Sequence, residues 1–123
     1  MNACVPEMAA VLRRRQEFLA VARQGKKWVA TGLILQVGAA RPEQTSSPVR
    51  YGLTASGKIG NAVVRNRARR RMRALVHEIM PLHAARGYDY VLIARVSTPR
   101  RKYADLQQDL ITALKKLGVW RDK

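Results

Sequence analysis

The sequence predicts a small single-domain α+β fold of order α-β-β-α-β-α, in which helices pack on one central sheet. Three observations predict it. A chain of 123 residues, 47% of them hydrophobic, supplies one modest core and shows neither an internal repeat nor a domain boundary. Three stretches carry apolar residues at helical spacing, and three others carry the β-branched and aliphatic alternation of strands. One domain over residues 1–123 is expected, with its ordered core at about 12–118.

The first helix is expected from about Leu12 to Arg23, where Phe18, Val21 and Ala22 share a face and Gly25 follows at a C-cap position. Trp28 to Val37 reads as a strand with a break at Gly32, placing Leu33, Leu35 and Val37 opposite Ile34 and Gln36. Pro42, Thr45, Ser46, Ser47 and Pro48 make residues 39–48 a flexible loop. Val49 to Ser56 resumes strand alternation, and the two strands are expected to pair as a hairpin. A second helix starts near Asn61, a favoured N-cap, and is expected to end before Pro81. Asp89 to Val96 is the third strand. Leu106, Leu110, Leu114 and Leu117 mark a last helix from Tyr103 to Leu117, stopped by Gly118.

Charge narrows the function. The 24 Lys and Arg against 8 Asp and Glu leave +16, which calls for a polyanionic partner. Cys4 is the single cysteine, so neither an internal disulfide nor a cysteine cluster for zinc is expected. No signal-peptide pattern and no apolar run long enough to cross a bilayer is present. A cytoplasmic protein is expected.

Projected as a helix, residues 61–80 place Val64, Ala68, Met72, Leu75 and Ile79 on one stripe. Asn66, Arg70, Arg73 and His77 lie opposite, with Arg65 and Arg69 on one flank and Arg67 and Arg71 on the other. Between Lys58 and Arg73 stand seven cations and no acid, whereas a merely solvated helix intersperses both signs. The bias to arginine favours phosphate and bases over lipid headgroups, and the only apolar stripe is needed for packing rather than for a membrane. Ser56 to Asn61 adds small residues before a helix N-terminus, a candidate phosphate site whose spacing does not match a nucleotide-hydrolysing P-loop.

The run Gly52-Leu53-Thr54-Ala55-Ser56-Gly57-Lys58-Ile59-Gly60-Asn61-Ala62-Val63-Val64-Arg65-Asn66-Arg67-Ala68-Arg69-Arg70 resembles the signature of the bacterial ribonuclease P protein component. Phe18, Val21, Gly25 and the Asp89 to Arg95 stretch extend the resemblance over roughly residues 12–117. It implies the same element order with a left-handed crossover between parallel strands. It also implies a subunit that assists a catalytic RNA in cleaving the 5′ leader from precursor tRNA, with Mg²⁺ held by the RNA and no catalytic or metal-binding side chain in the protein. The resemblance assigns Lys58, Asn61, Arg65, Asn66, Arg67, Arg69, Arg70 and Arg73 to the catalytic RNA. It assigns Phe18, Ile34 and Gln36 to a cleft for the single-stranded leader, and requires no obligate protein partner. The chain departs from the family pattern at Ala22 and Gln36, where aromatics are common, and at Gly57, where lysine is common.

Other readings fare worse. A protein nuclease needs acids grouped to hold two metal ions, and here they are scattered; Asp105 and Asp109 share a helix face but read as an exposed acidic pair. His77-Glu78-Ile79-Met80-Pro81 fails as a zinc motif because Pro81 replaces the second histidine. A helix-turn-helix DNA binder lacks its preceding short helix. A structural RNA-binding protein of ribosomal type shares the charge and fold class, but needs neither the ordered motif of Asn61 and Arg65-Asn66-Arg67 nor a leader cleft beside it.

Overall fold

The computed structural model describes residues 10–12, 14–39 and 49–122. Its elements are β1 (Ala10–Val11), α1 (Arg15–Arg23), β2 (Lys26–Val29), β3 (Leu33–Ala39), β4 (Arg50–Thr54), a 3-10 turn (Gly57–Ile59), α2 (Ala62–His83), β5 (Tyr88–Ala94) and α3 (Tyr103–Lys116). They form a five-stranded mixed sheet of order β1-β4-β5-β3-β2. The expected α+β class and one-sheet architecture hold. The expected loop lies, apart from Ala39, outside the described residues.

Four local expectations are corrected. Leu12 does not start α1: its N–H bonds Tyr51 O at 2.6 Å, continuing the parallel pairing of β1 with β4. The Trp28 to Val37 stretch is two antiparallel strands, because Gly32 belongs to a tight turn in which Ala30 N–H reaches Leu33 O at 2.9 Å. β3 and β4 are not a hairpin. β5 lies between them, antiparallel to β3 and parallel to β4, so α2 carries the chain across the sheet.

The fourth correction concerns Pro81, which α2 contains rather than avoids. Proline removes its own N–H from the ladder and crowds the carbonyl four residues earlier, and burial of Ile79 and Met80 offsets this by holding this end of α2 in the core. The last carbonyls are satisfied from the C-terminal strap: Arg121 N–H donates to His83 O at 2.5 Å, and Arg121 Nη2 to Pro81 O at 3.3 Å.

The two sheet faces are covered unequally. Leu33, Leu35, Val37, Tyr51, Tyr90 and Leu92 are buried beneath α2 and α3, against Met72, Leu75, Leu106 and Leu110. On the opposite face α1 is the one helix among the described residues that packs, burying Val21 with Leu12 and Val91 while Phe18 and Ile93 stay half-buried. Among the described residues that second face is therefore covered at one end only.

Candidate nucleic-acid interface

The register sets out the uncovered face in rows, since neighbouring residues on paired strands point the same way. Gly38, Asp89 and Arg50 form the first row, Gln36, Val91 and Gly52 the second, and Val29, Ile34, Ile93 and Thr54 the third. α1 sits on the first row. A Cβ on Gly38 would meet Val21 Cα at 3.1 Å, and Arg50, itself buried, pairs with both Glu17 of α1 and Asp89. Phe18 reaches the second row, where a Cβ on Gly52 would stand 2.5 Å from its ring. Beyond that ring no other described element covers the face. Phe18, Ile34 and Gln36, which the resemblance assigns to one cleft, share this face, all half-buried.

The basic helix begins at a built N-terminus. Asn61 Oδ1 accepts the Val64 N–H at 3.0 Å and Ser56 Oγ accepts the Lys58 N–H at 3.3 Å. Gly60 has φ 145°, and a Cβ there would lie 2.9 Å from Val64, so this turn admits only glycine. Asn61 therefore has a capping role whatever else its amide touches.

The polar residues from Lys58 to Arg73 divide into three groups. Lys58, Asn66, Arg67, Arg70 and Arg73 are exposed. Arg65 and Arg69 are half-buried along the flank: Arg65 Nη1 stands 3.5 Å from where a Gly57 Cβ would be, and Arg69 bridges Asn66 Oδ1 (3.2 Å) and Ala55 O (3.4 Å). Arg71 turns inward, donating to Thr98 O at 2.7 Å and Arg101 O at 2.5 Å. Burial lowers its guanidinium from its usual value, with the charge of Arg67 acting the same way. The projected stripe of Ala68, Met72, Leu75 and Ile79 is buried, joined by Val76 and Met80, while Val64 is only half-buried.

Two grooves border the open face, one lined in part by α2 and the other by Lys58 and Ile59 of the turn that precedes it. One is lined by Phe18, Leu12 and Leu53 together with Arg69 and Arg73. The other joins Ile34 and Ile59 to Lys58, Arg95, Ser97 and Arg100. Gln36 lines neither groove and lies on the row between Ile34 and the α1-covered end. The sequence reading missed Arg95, Ser97 and Arg100; the signal was there in the four cations among residues 95–102.

Asp109 is not half of an exposed acidic pair. It is half-buried and bonds Arg101 Nε at 2.7 Å and the Gly32 N–H at 3.0 Å. Glu78, the first acid on α2, accepts from Tyr103 Oη and Gln107 Nε2. Among the described residues no three His, Cys, Asp or Glu side chains gather as a metal-binding group, and no helix is long and apolar enough to cross a membrane.

The arrangement offers a cationic ridge beside an apolar, partly aromatic trough, which suits a phosphate backbone and unpaired bases respectively. A family model described as Ribonuclease P matches residues 7–118. The chain is 48% identical over 109 residues to a ribonuclease P protein component of Paramagnetospirillum magneticum, covering 88% of this chain and 82% of that protein. It is 45% identical over 108 residues to that of Gluconacetobacter diazotrophicus, covering 88% and 90%. In fold it is similar to the RNase P protein of Staphylococcus aureus (TM-score 0.74, 22% identity, covering 90% of this chain and 97% of the other). The RNase P protein of Thermotoga maritima is also similar, with TM-score 0.69, 23% identity and coverage of 85% and 94%.

Proposed function

This chain belongs to the ribonuclease P protein family, and from that premise we propose that it assists a catalytic RNA in removing the 5′ leader from precursor tRNA, in the cytoplasm. The single observation that supports this most is the continuity of the α2 ridge with the open sheet face through the Phe18–Arg69–Arg73 groove. Lys58, Asn61, Arg65, Asn66, Arg67, Arg69, Arg70 and Arg73 hold the catalytic RNA, mostly through phosphates. Phe18, Ile34 and Gln36 receive the single-stranded leader.

Each part follows from local chemistry. The guanidinium groups displace counterions from the RNA and take phosphate oxygens in pairs. Phe18 offers a ring for one base, while Ile34 and its row supply an apolar floor and Gln36 an amide. With Ala22 in place of a second ring, the leader is held by one aromatic stack rather than several. Phosphodiester hydrolysis and its Mg²⁺ ions are assigned to the RNA, and the protein adds affinity for the substrate without a catalytic side chain.

Reconstitution tests the reading. Added to a bacterial ribonuclease P RNA at low Mg²⁺, the protein should accelerate cleavage of precursor tRNA, and a rate unchanged by the protein would overturn the proposal. Mature tRNA, which lacks the leader, should gain little affinity from the protein.

A further inference from the structure

The turn after β5 is fastened from three directions, by the β2–β3 turn, α2 and α3. Thr98 is wholly buried; its Oγ1 accepts the Arg95 N–H at 2.8 Å and donates to Gly32 O at 2.5 Å. Ser97 Oγ donates to Thr31 O at 2.6 Å. From α2, Arg71 forks onto Thr98 O and Arg101 O, and Arg101 is in turn fixed by Asp109. A connection between a strand and a helix does not need this much restraint.

What the turn presents is Arg100. Its side chain is exposed and, among the described residues, makes no hydrogen bond or ion pair. It lines one groove with Lys58, and between them lie Ile34, Ile59 and Ala94. Among the described residues no acid lines that groove. A locked turn removes the backbone share of the ordering cost when its cation meets an anion, leaving only the side chain to be ordered, and an apolar floor with cationic walls suits a nucleotide strand whose phosphates alternate with bases.

We propose that Arg100 is a phosphate contact for the single strand that crosses Ile34, and that Arg71, although it lies in the basic helix, is the positioning residue that holds Arg100's turn at the groove. This rests on the leader-cleft reading above. It extends the cleft past Ile34 and removes Arg71 from the surface that meets the catalytic RNA.

The test uses reconstituted holoenzyme, measuring affinity for precursor tRNA, for mature tRNA, and of the protein for the catalytic RNA. Arg100→Ala should weaken precursor binding about fivefold near 0.1 M salt and make its salt slope shallower by about 0.7, the value for one phosphate contact on a single strand. Mature tRNA binding and assembly should not change. Arg71→Lys keeps the charge but cannot fork onto two carbonyls, and should repeat the precursor-specific loss; should it fold poorly, Thr98→Val tests the same turn from its other side.

Phe18→Ala separates the two levels of the argument. If Phe18→Ala discriminates precursor from mature tRNA and Arg100→Ala does not, the Arg100 proposal is overturned while the cleft stands. If neither discriminates, the cleft reading falls and takes the proposal with it. Weaker assembly in Arg100→Ala would move Arg100 to the catalytic-RNA surface, and weaker assembly in Arg71→Lys would make Arg71 an RNA contact rather than a positioning residue.

Discussion

Gly52 decides where Phe18 can lie, because any side chain there would occupy the space of the ring. Gly52→Ala is expected to destabilise the protein by about 1–3 kcal/mol through overpacking and to reduce precursor affinity by displacing Phe18, read by thermal melting beside tRNA binding. Helical spacing placed Phe18 on the face of Val21, but no local pattern reveals a glycine two strands into the chain beneath it. The arginines show the same limit. Projection put Arg67 and Arg71 on one flank, yet only the packed turn at Thr98 turns Arg71 inward, whereas Arg67 remains exposed. Arg67→Ala should weaken assembly with the catalytic RNA and flatten its salt dependence by about 0.7 to 0.9 per lost contact. Tyr103 gives a pH signature: burial, the nearby charge of Glu78 and the bond to it raise its phenol to about 12. A raised folded value means this contribution is intact below the unfolded value of about 10 and disappears as pH climbs through about 12. Tyr103→Phe should therefore remove part of the alkaline loss of stability seen in denaturant melts at rising pH.

At the scale of elements, periodicity found the strands but not their neighbours. Alternation in Val49 to Ser56 and in Trp28 to Val37 says only that each has a buried face, and adjacency in sequence then suggests a hairpin. The missed signal was Tyr90-Val91-Leu92, three consecutive buried residues that mark a strand covered on both faces and hence central. Gly32 was visible as a break but its reason was not. A Cβ there would stand 2.5 Å from Asp109 Oδ2 and from Leu106, so Gly32→Ala should push α3 from the β2–β3 turn and lower the melting temperature. Pro81 misled because helix rules treat a proline as local, while Arg121 completes the end of α2 from the far end of the chain. Arg121→Ala should raise amide hydrogen exchange in the last turn of α2 and leave its basic first half protected as before.

Among the described residues a thick apolar core lies on one side of the sheet and a nearly bare trough on the other, with the cationic helix lining the groove at Phe18 and Lys58, just ahead of it, lining the groove at Ile34. The charge and the resemblance made the cationic ridge legible, down to individual residues from Lys58 to Arg73. The trough's far rim at Arg95 to Arg100 was not, since three-dimensional closure brings those residues to Ile34 across some 60 positions of sequence. Between Gly57 and His77 the chain holds no carboxylate of its own. The free protein therefore carries an electrostatic debt on α2 that only an outside anion can settle, which makes binding and folding two readings of one equilibrium. Sulfate or phosphate ions should raise its melting temperature at fixed ionic strength relative to chloride. A catalytic RNA present at 100 times its dissociation constant should add about 2.7 kcal/mol to the native state by mass action alone.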